Sequence, residues 1–320
     1  PGDEPQFDPG VLTEGDKTFL YTGFCARGDK SRHGAMCTVL ERDMLTIAEA
    51  PVIVAPGVEY EAGTGFEGHA YFEAASIRKR GDTYYFVYSS TPMHELCYAT
   101  GPDPRGPFTY GGVIVSNADI HIDTYKPAEM PAASGGNNHG SIVEINGQWY
   151  IFYHRQTNGH WFSRQVCAEP IQFRADGSII QAEITSCGLN GGPLKGEGWY
   201  PAYIACHIFD KETPLIVSRP GLPRVTQDGR DGDKIDGHID QIADGTTIGF
   251  KYFDCKAVKG IRIQTRGYCN GVFEVRTAWD GETLGEIPVV GYNVWTENGC
   301  ECRIPDGVHA IYLVFRGTGT

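Results

Sequence analysis

Three stretches of this chain repeat one another, and that repeat limits the possible fold more than any other feature of the sequence. EAASIRKRGDTYYFVYSS (73–90) and HGSIVEINGQWYIFYHR (139–155) place Ser76-Ile77 and Ser141-Ile142 at matching offsets before Tyr84-Tyr85 and Tyr88, and before Trp149-Tyr150 and Tyr153. DPGVLTEGDKTFLYTGF (8–24) is a third copy, with a slip of one residue. Each copy reads as a strand, a Gly- or Asp-bearing turn and a second strand rich in aromatics. The copies start about 65 residues apart, longer than the usual propeller repeat, as insertions would make them. A single unit of this kind cannot bury its apolar face alone, so the predicted architecture is a β-propeller of stacked sheets.

The rest of the chain agrees with an all-β class. Runs such as WFSRQVC, IRIQTR and AIYLVF are rich in β-branched and aromatic residues, and no stretch carries convincing helical periodicity. The 42 Gly and 19 Pro supply the tight turns that many short strands need. SRPGLPR (218–224) reads as a proline-punctuated linker between a propeller domain over 1–217 and a second domain over 225–320. The strand rhythm of that second domain, TIGFKYFD, GIRIQTRG, VFEVRTAW and AIYLVFRG, predicts a β-sandwich of the jelly-roll kind. A formal net charge of -13 argues against a nucleic-acid partner, whose phosphates need clustered Lys and Arg. No apolar run approaches the roughly 18 residues of a membrane span, so no membrane partner is expected either. The ten cysteines are scattered without a CxxC pair, several inside apolar strands, and are expected to be reduced and buried.

Each repeat copy opens on an ionisable residue: Asp8, Glu73 and His139. In a propeller the innermost strands converge at equivalent ends on the central channel, so these three are predicted to meet in one pocket.

With these residues in view, the sequence resembles the family 43 glycoside hydrolases, five-bladed propellers that act on arabinan, xylan and arabinoxylan. FDPGVL is similar to the strand of the family's second conserved aspartate. FEAASIRKRGDTYYFVYSS looks like its general-acid strand, with Glu-Ala-Ala where Glu-Ala-Pro is usual. YATGPDPRGPFTYGG carries the Pro-x-Gly-Pro-Phe element, NNHGSIVEINGQWYIFYHR resembles the channel-histidine strand, and EPIQFRADGSI the closing strand. The five occur in the family's order. The C-terminal segment resembles family 6 carbohydrate-binding modules in FKYFD, IRIQTRG, FEVRTAW, NVWTENG and GVHAIYLVFRG. By this resemblance the propeller is N-terminally incomplete, with the general-base aspartate upstream of the chain, and the module's last strand lies beyond Thr320. A chain without its base is expected to be nearly inactive.

The resemblance implies a hydrolase that cleaves arabinofuranosyl or xylosyl linkages of plant hemicellulose with inversion. Glu73 would be the general acid, between the apolar pairs Tyr71-Phe72 and Ala74-Ala75, and Asp8 an assisting carboxylate. His139 would border a calcium ion in the channel, directly or through water. Arg164 would reach a sugar hydroxyl, and Trp295, with Trp279 and Tyr292 as further candidates, would stack on sugar rings. The expected substrates are arabinoxylan, arabinan or xylo-oligosaccharides. Each residue also has a plainer reading: an Asp-Pro turn, a strand-opening glutamate, a hydrogen-bonded histidine, a surface arginine and a core tryptophan. The competing function is a non-catalytic carbohydrate-binding scaffold. GTGFEG (63–68) matches a dinucleotide-binding pattern but lacks a surrounding βαβ unit. Asp228, Asp231, Asp233 and Asp236 lack EF-hand spacing and read as a solvated linker edge.

Overall fold

The computed structural model describes residues 7–25, 33–211, 213, 219–229 and 237–319; Asp231, Asp233, Asp236 and Ser218 of the linker lie outside them. All regular structure among the described residues is β-strand, apart from two 3-10 turns, as the sequence predicts. Contacts divide the chain into two compact units, and neither is one continuous stretch. The first takes in Pro1–Ser116, Asn137–Arg155 and Val166–Ala182, the second Asn117–Gly136, Gln156–Gln165 and Glu183–Thr320.

The first unit begins with two antiparallel meanders of four consecutive strands. One is β1 (Gly10–Glu14), β2 (Lys17–Thr22), β3 (Gly34–Leu40) and β4 (Ile47–Pro56); the other is β5 (Tyr71–Arg80), β6 (Thr83–Ser90), β7 (Glu95–Gly101) and β8 (Thr109–Ser116). A three-stranded sheet follows, β9 (Ser141–Ile145), β10 (Gln148–Thr157) and β11 (His160–Pro170), with residues 156–157 and 160–165 counted in the second unit, and then the short hairpin β12 (Gln172–Phe173) and β13 (Ile179–Ile180). Each sheet is open. The three repeat copies are the opening hairpins of three separate sheets: β1–β2, β5–β6 and β9–β10. All three turn in two residues, between Glu14 and Lys17, Arg80 and Thr83, and Ile145 and Gln148. The turns need a left-handed backbone, and Gly15, Gly81 and the Asn146-Gly147 pair supply it with φ of 64°, 60°, 51° and 83°.

The aromatics of the repeat form the core of this unit. β6 (TYYFVYSS) is buried on both faces, and Tyr21 of β2 lies 5.8 Å from Phe86, with Tyr71 and Tyr88 packed on the same ring at 6.1 and 5.7 Å. Burying each such side chain contributes about 1.5–3 kcal/mol, and the phenol groups around Phe86 keep partners. Tyr21 Oη donates to the Pro104 carbonyl at 2.5 Å, and Tyr71 Oη to that of Gly23 at 3.0 Å.

The second unit is built on a six-stranded sheet. Its strands are β14 (Leu194–Lys195), β15 (His207–Phe209), β18 (Thr247–Cys255), β20 (Cys269–Arg276), β21 (Gly285–Val290) and β23 (Gly307–Gly319). The order is β14-β18-β23-β20-β21, with β15 also on β18, and only β14 runs parallel to its neighbour. Two ladders accompany it, β16 (Arg224–Gln227) with β17 (Gly237–Asp240), and β19 (Gly260–Thr265) with β22 (Thr296–Glu301). Phe253, Phe273, Phe315, Ile287 and Ile304 form its core, with Ile261 and Ile263 of β19 packed against them.

Beside that core lies a buried ionic network. Lys251, fully buried on β18, holds Asp119 at 3.2 Å and Glu183 at 2.8 Å, and its ammonium sits 3.4 Å from the centre of the Tyr125 ring. Tyr125 Oη donates to Asp119 Oδ2 at 2.7 Å, the Ile184 amide donates to Asp119 Oδ1 at 2.8 Å, and Tyr252 and Thr124 donate to Glu183. Burial alone would lower the pKa of Lys251, but the opposing carboxylates outweigh it and raise it. Burial would likewise raise Glu183, yet Lys251 and the surrounding donors bring it below its ordinary value. Asp119 is pushed up by burial against the pull of Lys251; its three donors are nevertheless the geometry of an ionised carboxylate. All ten cysteines are free thiols, and Cys25, Cys37, Cys97, Cys206, Cys255 and Cys302 are buried.

Candidate active site

Three elements of the first unit deliver the polar residues that open the repeat copies. Asp8 stands two residues before β1, Glu73 is the third residue of β5, and His139 stands two residues before β9. Their ligand-type atoms all lie within 4.8 Å of one another, so the predicted convergence is met. His139 Nε2 is the hub, 2.7 Å from Glu73 Oε1 and 3.6 Å from Asp8 Oδ2. All three side chains are partly buried, Glu73 most deeply at 13% exposed, against 25% for His139 and 36% for Asp8. His139 and Glu73 are at hydrogen-bond distance, whereas Asp8 at 3.6 Å lies just beyond it.

Local backbone departures aim these groups. β5 loses register with β6 on both sides of Glu73, and Ala74 has φ of 64°, the geometry of a bulge that turns one side chain out of the regular alternation. Asp8, before Pro9, has φ of 46°. A left-handed conformation costs a residue other than glycine about 1–3 kcal/mol and persists only where its surroundings enforce it. Gly10 lets β1 approach β5: a Cβ there would fall 2.4 Å from the Ala75 carbonyl oxygen. Ser76 and Ser141, equivalent in the repeat, hydrogen-bond to each other through their Oγ atoms at 2.7 Å. They lie three residues beyond Glu73 and two beyond His139, and the bulge in β5 absorbs the extra residue.

His154 of β10 lies with its ring 5.5 Å from that of His139, and its amide donates to Asn138 at 3.4 Å. Sequence reasoning did not single it out, although it holds in the 139–155 copy the position of Ser89 in the 73–90 copy. Arg164 and Trp295 belong to the second unit and are not part of this trio. Arg164 is exposed on β11, its Nε donating to the Trp161 carbonyl at 3.2 Å. Trp295 is about half exposed, with the Arg266 guanidinium 5.0 Å from its ring centre and the edge of His238 at 5.6 Å. Tyr292 is exposed beside it in sequence, whereas Trp279 packs on buried His207 at 4.2 Å, the plainer of its two readings.

Donor chemistry allows a hard cation at the trio only in part. Asp8 and Glu73 offer carboxylate oxygens of the kind calcium takes, but an imidazole nitrogen is a poor calcium ligand and suits contact through a coordinated water.

The profile described as Glycosyl hydrolases family 43 matches residues 1–179. The chain is 61% identical over 325 aligned positions to a xylosidase/arabinosidase of Thermoclostridium stercorarium, covering all of this chain and 69% of that protein. A solved family 43 arabinoxylan arabinofuranohydrolase of Bacillus subtilis, in complex with cellotetraose, is 24% identical with a TM-score of 0.46, over 98% of this chain and 64% of the other. A compost-metagenome β-xylosidase/α-arabinofuranosidase, solved with xylotriose in a calcium-free form, is 28% identical with a TM-score of 0.44, over 55% of this chain and 58% of the other. With more than half its length matching the family profile and its whole length matching the first of these relatives, the chain belongs to family 43 of the glycosyl hydrolases and is of the xylosidase/arabinosidase type.

Proposed function

We propose that Asp8, Glu73 and His139 form the acid side of an inverting glycosidase centre for arabinofuranosyl or xylosyl linkages in hemicellulose. The observation that carries this reading is their meeting within 4.8 Å from three copies of one repeat. Glu73 protonates the leaving glycosidic oxygen. It is the more buried of the two carboxyls, and the bulge aims it. Inversion places acid and base roughly 6.5–9.5 Å apart with a water between them, and a nucleophile roughly 5–5.5 Å from its acid. Asp8 and Glu73 bring ligand-type oxygens within 4.8 Å of each other, too close for the water that an inverting base holds, so Asp8 acts by its charge beside His139 and the water-activating carboxylate is another residue. His139 holds the Glu73 carboxyl in one orientation through its 2.7 Å contact.

Two further assignments complete the proposal. Four-stranded meanders that begin with repeat hairpins are the blades of a propeller, and the six-stranded sheet of the second unit, which takes in β14 and β15 from before the 218–224 linker, belongs to the sandwich module. Arg164 offers guanidinium donors to sugar hydroxyls, and exposed Trp295 an apolar face to a sugar ring. The test is hydrolysis by the full-length protein of arabinoxylan, xylo-oligosaccharides and aryl arabinofuranoside or xyloside, with the anomer first released read by NMR. Release of arabinose or xylose as the inverted anomer is expected. Tight binding of these glycans with no release would instead establish the non-catalytic scaffold.

Two smaller predictions belong here. Gly10→Ala is expected to lower kcat/KM by about 10²-fold, since a misplacement near 1 Å costs that much and the clashing partner is backbone that cannot swing away. A steady-state assay beside a melting curve checks that the loss exceeds any loss of folded protein. Calcium, if held by the Asp8 and Glu73 oxygens with His139 on a coordinated water, stabilises the fold by about 2.7 kcal/mol at a hundredfold excess over Kd. Removal with a calcium-preferring chelator is then expected to lower Tm by several degrees and calcium to restore it. An unchanged Tm with no calcium by elemental analysis removes the ion from the site.

A further inference from the structure

A second cluster of ligand-type side chains lies in the first unit, and nothing in the proposed hydrolysis uses it. Glu95 and Cys97 alternate on β7 and so project to one face, where His69, from the loop before β5, joins them. His69 Nδ1 lies 2.6 Å from Glu95 Oε1, Cys97 Sγ 3.3 Å from the same oxygen, and the sulfur and ring nitrogen are 4.0 Å apart. Glu95 and Cys97 are buried, whereas the His69 side chain is 29% exposed and gives the cluster its opening to solvent.

We propose that His69, Glu95 and Cys97 bind a divalent transition-metal ion of the zinc class. The donor set is that of such an ion: imidazole nitrogen, carboxylate oxygen and thiolate sulfur, of which the thiolate and imidazole disfavour calcium and magnesium. Bonds of about 2.0–2.3 Å in a tetrahedron place ligand atoms about 3.2–3.8 Å apart. The observed 3.3 and 4.0 Å separations lie close to that range, and the 2.6 Å pair opens by less than 1 Å once a metal replaces the proton between nitrogen and oxygen. Binding displaces that proton, to Nε2 or to solvent, and releases the thiol proton of Cys97 to solvent.

The surroundings are those that orient metal ligands. Ser90 Oγ donates to Glu95 Oε1 at 2.5 Å. The Tyr110 ring stacks on His69 with centres 5.0 Å apart and planes within 14°, and its hydroxyl lies 3.9 Å from Cys97 Sγ, a place from which it or a water completes the tetrahedron. Tyr88 Oη donates to the His69 carbonyl at 2.8 Å, and the His69 amide donates to that of Phe66. Three strands, β6, β7 and β8, therefore fix a loop residue that stands four positions before Glu73. An ion here clamps the loop that leads into the acid's strand, and this holds whether or not the trio around Glu73 cleaves sugars.

Cobalt(II) supplies the test, because it reports thiolate ligation by a near-ultraviolet charge-transfer band. Full-length protein stripped of metal is titrated with cobalt and then with zinc as competitor. One equivalent should bind with that band, zinc should abolish it, and Cys97→Ser should lack it although nine other thiols remain. His69→Gln, at a partly exposed loop position that leaves the core intact, should weaken cobalt binding at least tenfold. Circular dichroism establishes that each variant is folded. Absence of the band in folded parent protein, its survival in Cys97→Ser, or unchanged affinity in His69→Gln overturns the proposal and leaves a hydrogen-bonded trio.

Discussion

Glu73→Gln is expected to reduce kcat/KM on xylo-oligosaccharides or arabinoxylan by about 10²–10⁴-fold, the usual worth of a positioned general acid. The amide keeps the shape and can still meet His139, but it has no proton to give a departing sugar oxygen. Tm should change little, because the residue is partly exposed and its one hydrogen bond can be remade. Parallel measurement of rate and Tm separates the outcomes. A large loss of rate in a protein that melts normally is the expected result. A loss of both means that Glu73 holds the three repeat copies together instead of performing chemistry.

Lys251→Met is expected to have the largest effect on stability, about 3–5 kcal/mol, which corresponds to a fall in Tm of about 10 °C for a unit of this size. The methionine fills the space but leaves buried Asp119 and half-buried Glu183 without their cation. The pH dependence follows in sign. Glu183, lowered in the folded protein, contributes stability above its ordinary value of 4.5 that is lost as pH falls through the folded value. Lys251, raised in the folded protein, contributes stability below 10.5 that is lost as pH rises through the folded value. Asp119 alone works in the opposite direction, because burial raises it. The parent should therefore be most stable between these limits. The variant should recover relative to it at low pH, where its orphaned carboxyls protonate. Urea unfolding at pH 5 and pH 8 checks this, and an equal deficit at both would show that lost packing, not uncompensated charge, governs the site.

The repeat made the core of this picture legible. Turn glycines, paired serines and spaced aromatics are local signals, and they located the three opening hairpins and the convergence of Asp8, Glu73 and His139. The bulge at Glu73 was not legible, since Ala74 carries no mark of a left-handed residue, and it explains why the repeat copies differ by one position between polar residue and serine. Lys251 and Asp119 are 132 positions apart and read separately as ordinary surface charges. His69 and Cys97 were likewise invisible as partners, because their spacing follows strand pairing and fits no short motif. The Gly- and Asn-rich setting of Trp295 marked it over Trp279 as a stacking candidate, but nothing local marked the buried His207 ring on which Trp279 packs.

The central claim is that Glu73 gives its proton to the leaving group, and a leaving-group series tests it most directly. Rates for aryl arabinofuranosides or xylosides of graded phenol acidity are compared in the parent and in Glu73→Gln. A proton donor makes the rate nearly indifferent to the phenol, so the parent series should be flat and the variant series steep, with the two meeting at the most acidic phenols. Parallel lines, with the variant slower by one constant factor throughout, would contradict the account, because a residue that only shapes or binds the site slows every substrate alike.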